Sequence, residues 1–569
     1  MFRKMFLHSV CIVVGVLCCA ATVSAQFVDP VAPPTPTIPQ FTPRSCVLND
    51  PGPRPAGDFV VYTVADGNGN IISNFAQQSQ DGNNNSSGSP LPNLTPAQNQ
   101  FWQAGLAKFG DLISVKGAPS TEPLPGLGPR FNGNSCFMCH SQPAIGGTSP
   151  GPGTPLIPPF NGNPQIALAH HRGATNTIPS IVSNRPNGPV VEARFPRAID
   201  ASNNPVNSLD GSVQQLFTIK GRDDQPTPCT ISQPPLDAEF NNNNLIMRIP
   251  TPTFGVGFVE TTPDETLIAN LSDSNLATLK SAAGVGGRFN SNGNDQTITR
   301  FGWKAQNASL LIFAGEASNV ETGVTNEVFP FERRAVDCDG NSEPEDFTTP
   351  NGQTSPTNPV AIASNVELES FFMFANTPPA QCDFGSGASG NPPAPNCKAL
   401  SAAALDGQTQ FTKVGCNLCH SPTLTSGPSK FTDLNNAQFH PFSDFAIHHM
   451  GAGTPSTSVP GLADGVTQGA AGPDEFRTAP LWGAGQRFFF LHDGRYGSIV
   501  DAVEAHSADN TLCTSVGSVP ETFILNGQTV TIPSKTTKSC GSEANGVLNS
   551  FHGLGCTHQQ NLIDFLRSL

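Results

Sequence analysis

Charged side chains are scarce in this chain. Asp, Glu, Lys and Arg make up 13% of its 569 residues, about half of their share in ordinary globular proteins. Acidic residues outnumber basic ones by 44 to 29, and the net charge of −15 argues against nucleic acid as a partner. Beyond residue 25 no stretch reaches the roughly 20 apolar residues of a membrane-spanning helix, so no membrane span is predicted. Only three Trp and two Tyr are present, which leaves few side chains for radical relay.

The first 25 residues have the pattern of a secretory signal peptide. Arg3 and Lys4 form a basic start, a mostly apolar run follows at 5–20, and Val23-Ser24-Ala25 is a small-residue cleavage site. Cleavage there would bring the net charge to −17. The sequence therefore predicts export to the periplasm, to the cell surface or out of the cell.

The fifteen cysteines support an oxidising compartment. Three lie in the predicted signal peptide, four belong to the motifs described next, and the remaining eight form an even set, which favours disulfides in an exported protein. Cys382–Cys397 and Cys513–Cys540 each bracket a loop rich in Gly, Pro or Ser and are the predicted pairs. The pairing of the other four stays open: Cys46, Cys229, Cys338 and Cys556.

Two C-x-x-C-H motifs, at Cys136–His140 and Cys416–His420, carry the strongest chemical signal. This is the attachment sequence of haem c, in which both thiols bond to the two vinyl groups of the porphyrin and the adjoining His ligates iron. Zinc would need two further ligands beside each pair, and a thioredoxin-like site would need a βαβ setting; neither accompanies the motifs. The sequence predicts two haem c groups, attached at Cys136/Cys139 and Cys416/Cys419, with His140 and His420 as iron ligands.

Helix signals cluster around these motifs. Thr95-Pro96 predicts a helix start, and Trp102, Leu106, Phe109 and Ile113 follow as one apolar stripe. A second helix is predicted at about 400–412. A terminal helix is predicted from a capping box, with a buried face; its residues are Thr557, Gln560, Leu562, Phe565, Leu566 and Leu569.

A weak repeat relates the two halves, because Gly105-x-x-x-Phe109 and Gly407-x-x-x-Phe411 each precede an attachment motif. The predicted fold is mainly α with long loops, and consists of two cytochrome c-like haem domains. The predicted boundaries are an irregular Pro/Asn/Gly-rich arm at 26–93, an N-terminal haem domain enlarged by insertions at 94–398, and a C-terminal haem domain at 399–569.

Five segments resemble the bacterial di-haem oxidoreductases of peroxidase type, also described as thiol oxidoreductases: 126–132, 252–260, 301–305, 476–483 and 491–495. The similarity runs from about residue 95 to 569. More distantly, the chain is similar to di-haem cytochrome c peroxidases, to the di-haem enzyme that matures a tryptophan-derived cofactor and to di-haem rubber oxygenases. The resemblance implies two haem domains, with one haem relaying electrons and the other reacting.

The second ligand of the C-terminal haem is predicted to be His506. Ser498 and Asp501 form a capping box for a helix at 499–507, which would place His506 on its buried face. In the relatives an axial ligand follows the His of an H-D-G motif by fourteen residues, which here leads from His492 to His506. The rival ligands are His448 and Met450. His492 is expected near the same haem.

The resemblance also suggests residues for catalysis at the N-terminal haem. Glu260 closes one family motif and is the candidate acid/base, while Trp303 is the candidate electron bridge between haems, with core packing as its alternative role. His170 and His171 are alternative distal ligands. In the peroxidase relatives a Thr-x-Pro helps to bind calcium; the corresponding residues here are Arg487 and Phe489, so the chain departs from the calcium pattern.

These features predict an exported di-haem c-type oxidoreductase, peroxidase-like, in which electrons enter at the C-terminal haem and chemistry occurs at the N-terminal one. The expected partners are a small electron donor, such as a mono-haem cytochrome or a cupredoxin, and a small-molecule oxidant or substrate. Two alternatives stay open: a di-haem oxygenase acting on a hydrophobic substrate, and a non-catalytic electron-transfer cytochrome. The alternatives differ in whether the sixth coordination position of one iron is open or occupied by a protein ligand.

Overall fold

A computed structural model gives the fold of most of the chain beyond residue 41. The described residues are 42, 44–53, 59–65, 71–78, 88–111, 113–114, 124–151, 188–200, 203, 205, 210–221, 229, 231–333, 338, 344–379, 400–452, 461–510, 513–517, 521–525, 528–532, 536–540 and 541–569. Residues 36–569 form one compact unit. The predicted signal peptide lies outside the described residues.

The described helices are short. They are α1 Pro96–Gly110, α2 Cys136–Cys139, α3 Leu236–Asn241, α4 Val256–Glu260, α5 Asp264–Leu271, α6 Ala277–Ala283, α7 Leu310–Ala317, α8 Asn365–Phe374, α9 Ala402–Val414, α10 Ile499–Glu504, α11 Asn545–His552 and α12 Cys556–Leu566. A π-helical turn at Ser318–Thr322 directly follows α7, and 3-10 turns lie at Cys416–Leu418, Thr432–Leu434 and Ala484–Gln486.

Strands are more numerous than the sequence suggested. They are β1 Phe59–Ala65, β2 Ile71–Gln78, β3 Ile113–Ser114, β4 Leu124–Pro125, β5 Arg130–Phe131, β6 Glu192–Phe195, β7 Ser212–Gln214, β8 Phe217–Thr218, β9 Ile246–Arg248, β10 Leu424–Thr425, β11 Gln438–Phe439, β12 Ile447–His449, β13 Glu475–Arg477, β14 Cys513–Gly517, β15 Glu521–Leu525, β16 Gln528–Ile532 and β17 Thr536–Cys540. One sheet has the order β7-β6-β9; the others are two-stranded: β1-β2, β3-β4 (parallel), β5-β8, β10-β11, β12-β13, β14-β17 and β15-β16.

The prediction of a mainly α fold was therefore wrong. Among the described residues, short helices are interspersed with strands that form several small, mostly antiparallel sheets. Most of these strands have two to five residues, which is too short for an alternating pattern to stand out in a sequence rich in loops. The two cytochrome c-like haem domains stay a prediction.

The repeated glycines permit close helix crossings in both halves. A Cβ atom at Gly105 in α1 would lie 2.2 Å from the carbonyl oxygen of Leu368 in α8, and one at Gly407 in α9 would lie 1.9 Å from that of Asn561 in α12. The phenylalanine four residues later then packs on an aromatic ring of the partner helix. The ring centroids are 4.8 Å apart for Phe109–Phe372 and 5.6 Å for Phe411–Phe565. Each attachment motif thus follows a helix that is locked against a second one.

The predicted helix ends are only partly correct. Helix α1 starts as expected, with Thr95 and Gln98 forming a capping box, but it ends before Ile113. Helix α12 begins after Gly555, so Thr557 lies inside it and caps nothing. Helix α10 is capped by Ser498 but ends at Glu504, which leaves His506 in the turn just beyond it. The predicted buried face of the terminal helix is confirmed for Leu562, Phe565, Leu566 and Leu569.

Two disulfides join segments that are distant in sequence. Cys46 is bonded to Cys556 and Cys229 to Cys338, two pairings that the sequence had left open. Cys513 and Cys540 are register partners at the ends of β14 and β17, with side chains outside the described residues. The predicted pair Cys382–Cys397 also lies outside them.

Candidate functional site

The first attachment motif forms a single helical turn, α2, with His140 directly after it. The Nδ1 atom of His140 lies 2.9 Å from the carbonyl oxygen of Gly147. Because a carbonyl can only accept, Nδ1 carries the proton and Nε2 keeps a free lone pair, as metal-ligating histidines require. Burial lowers the pKa of His140 to about 4, so the ring is neutral at physiological pH.

The second motif has the same arrangement. His420 follows a 3-10 turn, and its Nδ1 lies 2.9 Å from the carbonyl oxygen of Phe442. The φ angle of Phe442 is 51°, a left-handed backbone conformation that residues other than glycine seldom adopt. The backbone is therefore strained at the residue whose carbonyl oxygen accepts the hydrogen bond from His420. Burial lowers the pKa of His420 to about 4 and that of His506 in the same direction.

His420 and His506 line the same cavity, which has a volume of about 1370 Å³ including its opening. Their ring centroids are 6.4 Å apart. Two imidazoles with metal–nitrogen bonds of about 2 Å would have centroids about 6 Å apart, so the spacing suits one metal ion between them. The Nδ1 of His506 lies 2.7 Å from the carbonyl oxygen of Ala502, which leaves its Nε2 as the free nitrogen.

The rival ligands also line this cavity but are differently engaged. Both ring nitrogens of His448 have carboxylate partners: Nε2 lies 3.1 Å from Asp444 and Nδ1 lies 2.8 Å from Glu543. Met450 packs in a small hydrophobic cluster with Leu462, Phe476 and Ala505. Because a carboxylate can only accept, both ring nitrogens of His448 donate, which leaves no lone pair on the ring, so His506 is better suited to ligate a metal.

A second cavity, of about 1260 Å³, is lined by Cys136, Cys139 and His140. Three buried donor atoms of residues on its wall lack a hydrogen-bond partner among the described residues: Ser135 Oγ, Arg194 Nε and Arg248 Nε. Haem carries two carboxylate side arms, which would satisfy such donors. The two thiols, the neutral imidazole and these donors together fit a haem.

The C-terminal cavity likewise offers cations to an anionic group. Arg477 and Arg487 lie on its wall and donate to backbone carbonyls, such as those of Gly302 and Pro480. Burial lowers the pKa of each guanidinium to about 10, and their mutual repulsion adds to the shift of Arg477. Within the described part of the chain neither forms an ion pair with a carboxylate, so the carboxylates of a bound haem would balance them.

Trp303 lines both cavities, so its half-buried indole lies between the two candidate sites. Its Nε1 donates to the carbonyl oxygen of Ile249 at 2.8 Å. The indole makes an edge contact with the ring of His492, with the ring centroids 6.4 Å apart. The His492 ring in turn stacks on that of Phe476, with the centroids 4.4 Å apart. His492 thus lies on the wall of the C-terminal cavity and belongs to an aromatic group that joins it to Trp303.

Glu260 does not line either of these cavities. Its Oε1 accepts a hydrogen bond of 2.8 Å from the backbone N–H of Leu310, the first residue of α7. A carboxylate at a helix N-terminus stabilises the helix through its unsatisfied N–H groups. Burial raises the pKa of Glu260, while the Leu310 N–H and the charge of Arg300 oppose that shift.

The sequence reasoning missed the acids that do line the N-terminal cavity. Glu321 and Glu192 share a hydrogen bond there, and Asn132 Nδ2 donates to Glu321 Oε2 at 2.8 Å. Burial is the larger cause that raises the pKa of Glu321 well above its usual range, and the charge of Glu192 is the second, so the protonated form of Glu321 is favoured. Glu321 belongs to the π-helical turn, a feature that is frequent at functional sites and that the sequence did not reveal.

Three further points concern the alternative distal ligands, the calcium site and membrane spans. His170 and His171 lie outside the described residues. Among the described residues, no group of three or more His, Cys, Asp or Glu side chains is arranged to hold a metal ion, and the calcium site therefore finds no support. Nor does any described helix combine the length and apolarity needed to cross a membrane.

Comparison with models of known protein families finds a match over residues 210–516 to the family described as "Di-haem oxidoreductase, putative peroxidase". The matched range contains the second attachment motif, Trp303, Glu321 and His506, whereas the first motif precedes it. No curated protein and no solved structure matches the chain significantly.

Proposed function

The chain belongs to the di-haem oxidoreductase family, and from that premise we propose that it is an exported peroxidase with two c-type haems. The observation that carries the proposal is the pair of cavities, each with a C-x-x-C-H motif on its wall, and Trp303 lining both. Each bound haem supplies a redox-active iron. The two sites are proposed to have different roles, one in electron transfer and the other in reduction of the oxidant.

The C-terminal site is proposed to transfer electrons. Cys416 and Cys419 hold its haem covalently, and His420 and His506 provide two neutral imidazoles whose ring centroids are 6.4 Å apart. If both imidazoles bound the iron, no position would be left for a substrate, whereas such a site would pass electrons with little rearrangement. A small donor protein, such as a mono-haem cytochrome or a cupredoxin, would deliver electrons here.

The N-terminal site is proposed to reduce the oxidant. Cys136, Cys139 and His140 hold its haem, and His140 is the one histidine on the described walls of that cavity. On this proposal, the position opposite His140 would be available to peroxide. The walls also carry charged side chains, Glu192, Glu321 and Arg194 among them, and such walls suit a small polar oxidant better than a hydrophobic polymer.

Glu321 is the proposed acid/base in this cavity. Cleavage of a peroxide O–O bond needs a group that takes a proton from one oxygen and gives it to the other. Glu321 shares a proton with Glu192 and is held in place by Asn132, so it can do both without leaving a bare charge. Glu260 is proposed to act through structure, by capping α7, and Trp303 to carry electrons between the sites.

Three measurements on purified protein from an oxidising compartment test the proposal. The intact mass should exceed that of the polypeptide by two haems. The ferric spectrum should contain one low-spin and one high-spin haem, and peroxide should be consumed when a reduced small cytochrome is supplied. One attached haem would exclude the two-site scheme. Two low-spin haems without turnover would favour an electron carrier, with Met373 in the N-terminal cavity as the first ligand to examine.

A further inference from the structure

Glu369 is a buried acid on the wall of the N-terminal cavity that has no role in the scheme above. It belongs to α8 and is 7% exposed. No hydrogen bond or ion pair joins its carboxyl group to any residue in the described part of the chain. A buried carboxylate without partners is costly, and burial accordingly raises the pKa of Glu369 well above its usual range. The protonated form of Glu369 is therefore favoured, and its proton has no acceptor among the described residues.

The groups around Glu369 include an ion pair that is partly exposed at the protein surface. Helix α1 packs against α8, and its last turn carries Lys108, whose Nζ lies 3.0 Å from Asp111 Oδ2. Both groups are within electrostatic reach of Glu369, as is Asp346, which accepts hydrogen bonds from the first two N–H groups of α8. The side chain of Lys108 is 29% exposed and that of Asp111 is 7% exposed, so this ion pair extends from solvent towards the interior.

On its inner side Glu369 is within electrostatic reach of Cys136, one of the two attachment thiols. The charged and titratable groups around it are thus Lys108 and Asp111 on the outer side, Asp346 at the start of its own helix, and Cys136 towards the cavity. The crossing at Gly105, where the two helix backbones nearly touch, keeps the end of α1 fixed against α8. Glu369 therefore lies between a partly exposed ion pair and the cavity.

We propose that Glu369 is the proton-uptake residue of the N-terminal cavity, and that it passes protons inward from the Lys108–Asp111 pair. The inference rests on the proposed peroxidase function. Reduction of one hydrogen peroxide to two water molecules breaks the O–O bond, forms two O–H bonds and consumes two electrons and two protons. The electrons come from the donor protein. The Glu321–Glu192 pair can move a proton within the cavity, but the two protons consumed in each turnover must come from solvent.

The test compares Glu369→Gln with the wild-type di-haem protein. Glutamine keeps the shape of the side chain but cannot pass on a proton. At saturating peroxide and reduced donor, turnover should fall by about 10²-fold, with haem content and ferric spectrum unchanged. The matched control is Glu367→Gln on the same helix, which lies in the capping box of α8, and it should turn over like wild type. Formate should restore part of the activity of Glu369→Ala, an effect that a purely structural role would not produce.

A second measurement does not depend on peroxide turnover. The protein is reduced rapidly in weakly buffered solution, and a pH-indicating dye follows proton uptake. Reduction of the N-terminal haem would add an electron to the buried cavity, and a proton taken up from solvent through Glu369 would balance that charge. Uptake should keep pace with reduction in wild type and lag about tenfold or more behind it in Glu369→Gln. Equal uptake rates in both proteins, or no uptake in wild type, would overturn the proposal. Wild-type protein that takes up protons normally but never reduces peroxide would instead overturn the proposed function alone.

Discussion

Asp50 and Arg567 lie 517 positions apart in the sequence and form a two-pronged ion pair. Arg567 donates from Nε to Asp50 Oδ1 at 2.7 Å and from a second guanidinium nitrogen to Oδ2 at 2.6 Å. Oδ2 also accepts from the backbone N–H of Ile499, the first residue of α10, at 2.7 Å. One carboxylate therefore ties the N-terminal segment to the last helix and to the helix that leads to His506.

Asp50→Asn should destabilise the protein at neutral pH. The pKa of Asp50 is lowered on balance, because the hydrogen bonds from Arg567, Ile499 and Gly52 outweigh the opposing effect of burial. A lowered pKa means that the stabilisation is present above the unfolded-state value of about 3.9 and is lost as the pH falls through the folded-state pKa. We expect a loss of about 1 kcal/mol at pH 7, measured by urea unfolding, and convergence with wild type in acid.

The control for this variant is Asp493→Asn, which breaks the more exposed ion pair with Arg495. Exposed pairs contribute little, so its urea midpoint should stay close to that of wild type. If both variants lose the same free energy of unfolding, the hydrogen bonds from Arg567 and Ile499 to Asp50 stabilise the protein no more than an exposed ion pair does.

His506→Ala should convert the C-terminal haem from low-spin to high-spin, because the second neutral imidazole is removed. Absorption and electron paramagnetic resonance spectra would report the change. His448→Gln serves as the control, since both nitrogens of His448 have carboxylate partners, and it should leave the spin state alone. A low-spin spectrum that persists in His506→Ala and disappears when Met450 is also replaced would identify Met450 as the ligand.

Glu321→Gln should slow peroxide turnover by about 10²-fold or more while both haems stay attached. Glu260→Gln is the matched control: it keeps an oxygen for the Leu310 N–H and does not line the cavity, so turnover should stay within about twofold of wild type. Stopped-flow kinetics with hydrogen peroxide distinguishes the two. A large defect in Glu260→Gln with none in Glu321→Gln would reverse the assignment made here.

Trp303→Phe should slow electron transfer between the two sites, because Trp303 is the indole that lines both cavities. The rate can be followed after rapid reduction of the C-terminal haem. Trp102→Phe is the control, since it also removes one hydrogen bond of a tryptophan, to Asn376, but lies in the core beside α8. Equal rates in the two variants would leave Trp303 with a packing role only.

Local patterns let the sequence anticipate several features of the sites. The C-x-x-C-H spacing, the Thr95 cap and the fourteen-residue step from His492 to His506 each involve neighbours along the chain. The hydrogen bond from the Leu310 N–H to Glu260 was not anticipated, because a family motif does not indicate whether its last side chain faces a cavity or a helix end. Glu321 went unnoticed because its position depends on a π-helical turn, which has no clear sequence signal.

The sequence by itself located the two C-x-x-C-H motifs at which haem attachment is proposed, because such a motif consists only of residues adjacent in the chain. Tertiary structure alone decided which acids face the N-terminal cavity, which cysteines pair and that Trp303 lies between the two cavities. Those features bring together segments far apart in sequence: Cys46 meets Cys556 across 510 positions, and Glu321 meets both Asn132 and Glu192. The short strands and irregular loops that hold these residues carry no periodicity of their own, so only the folded packing specifies their contacts.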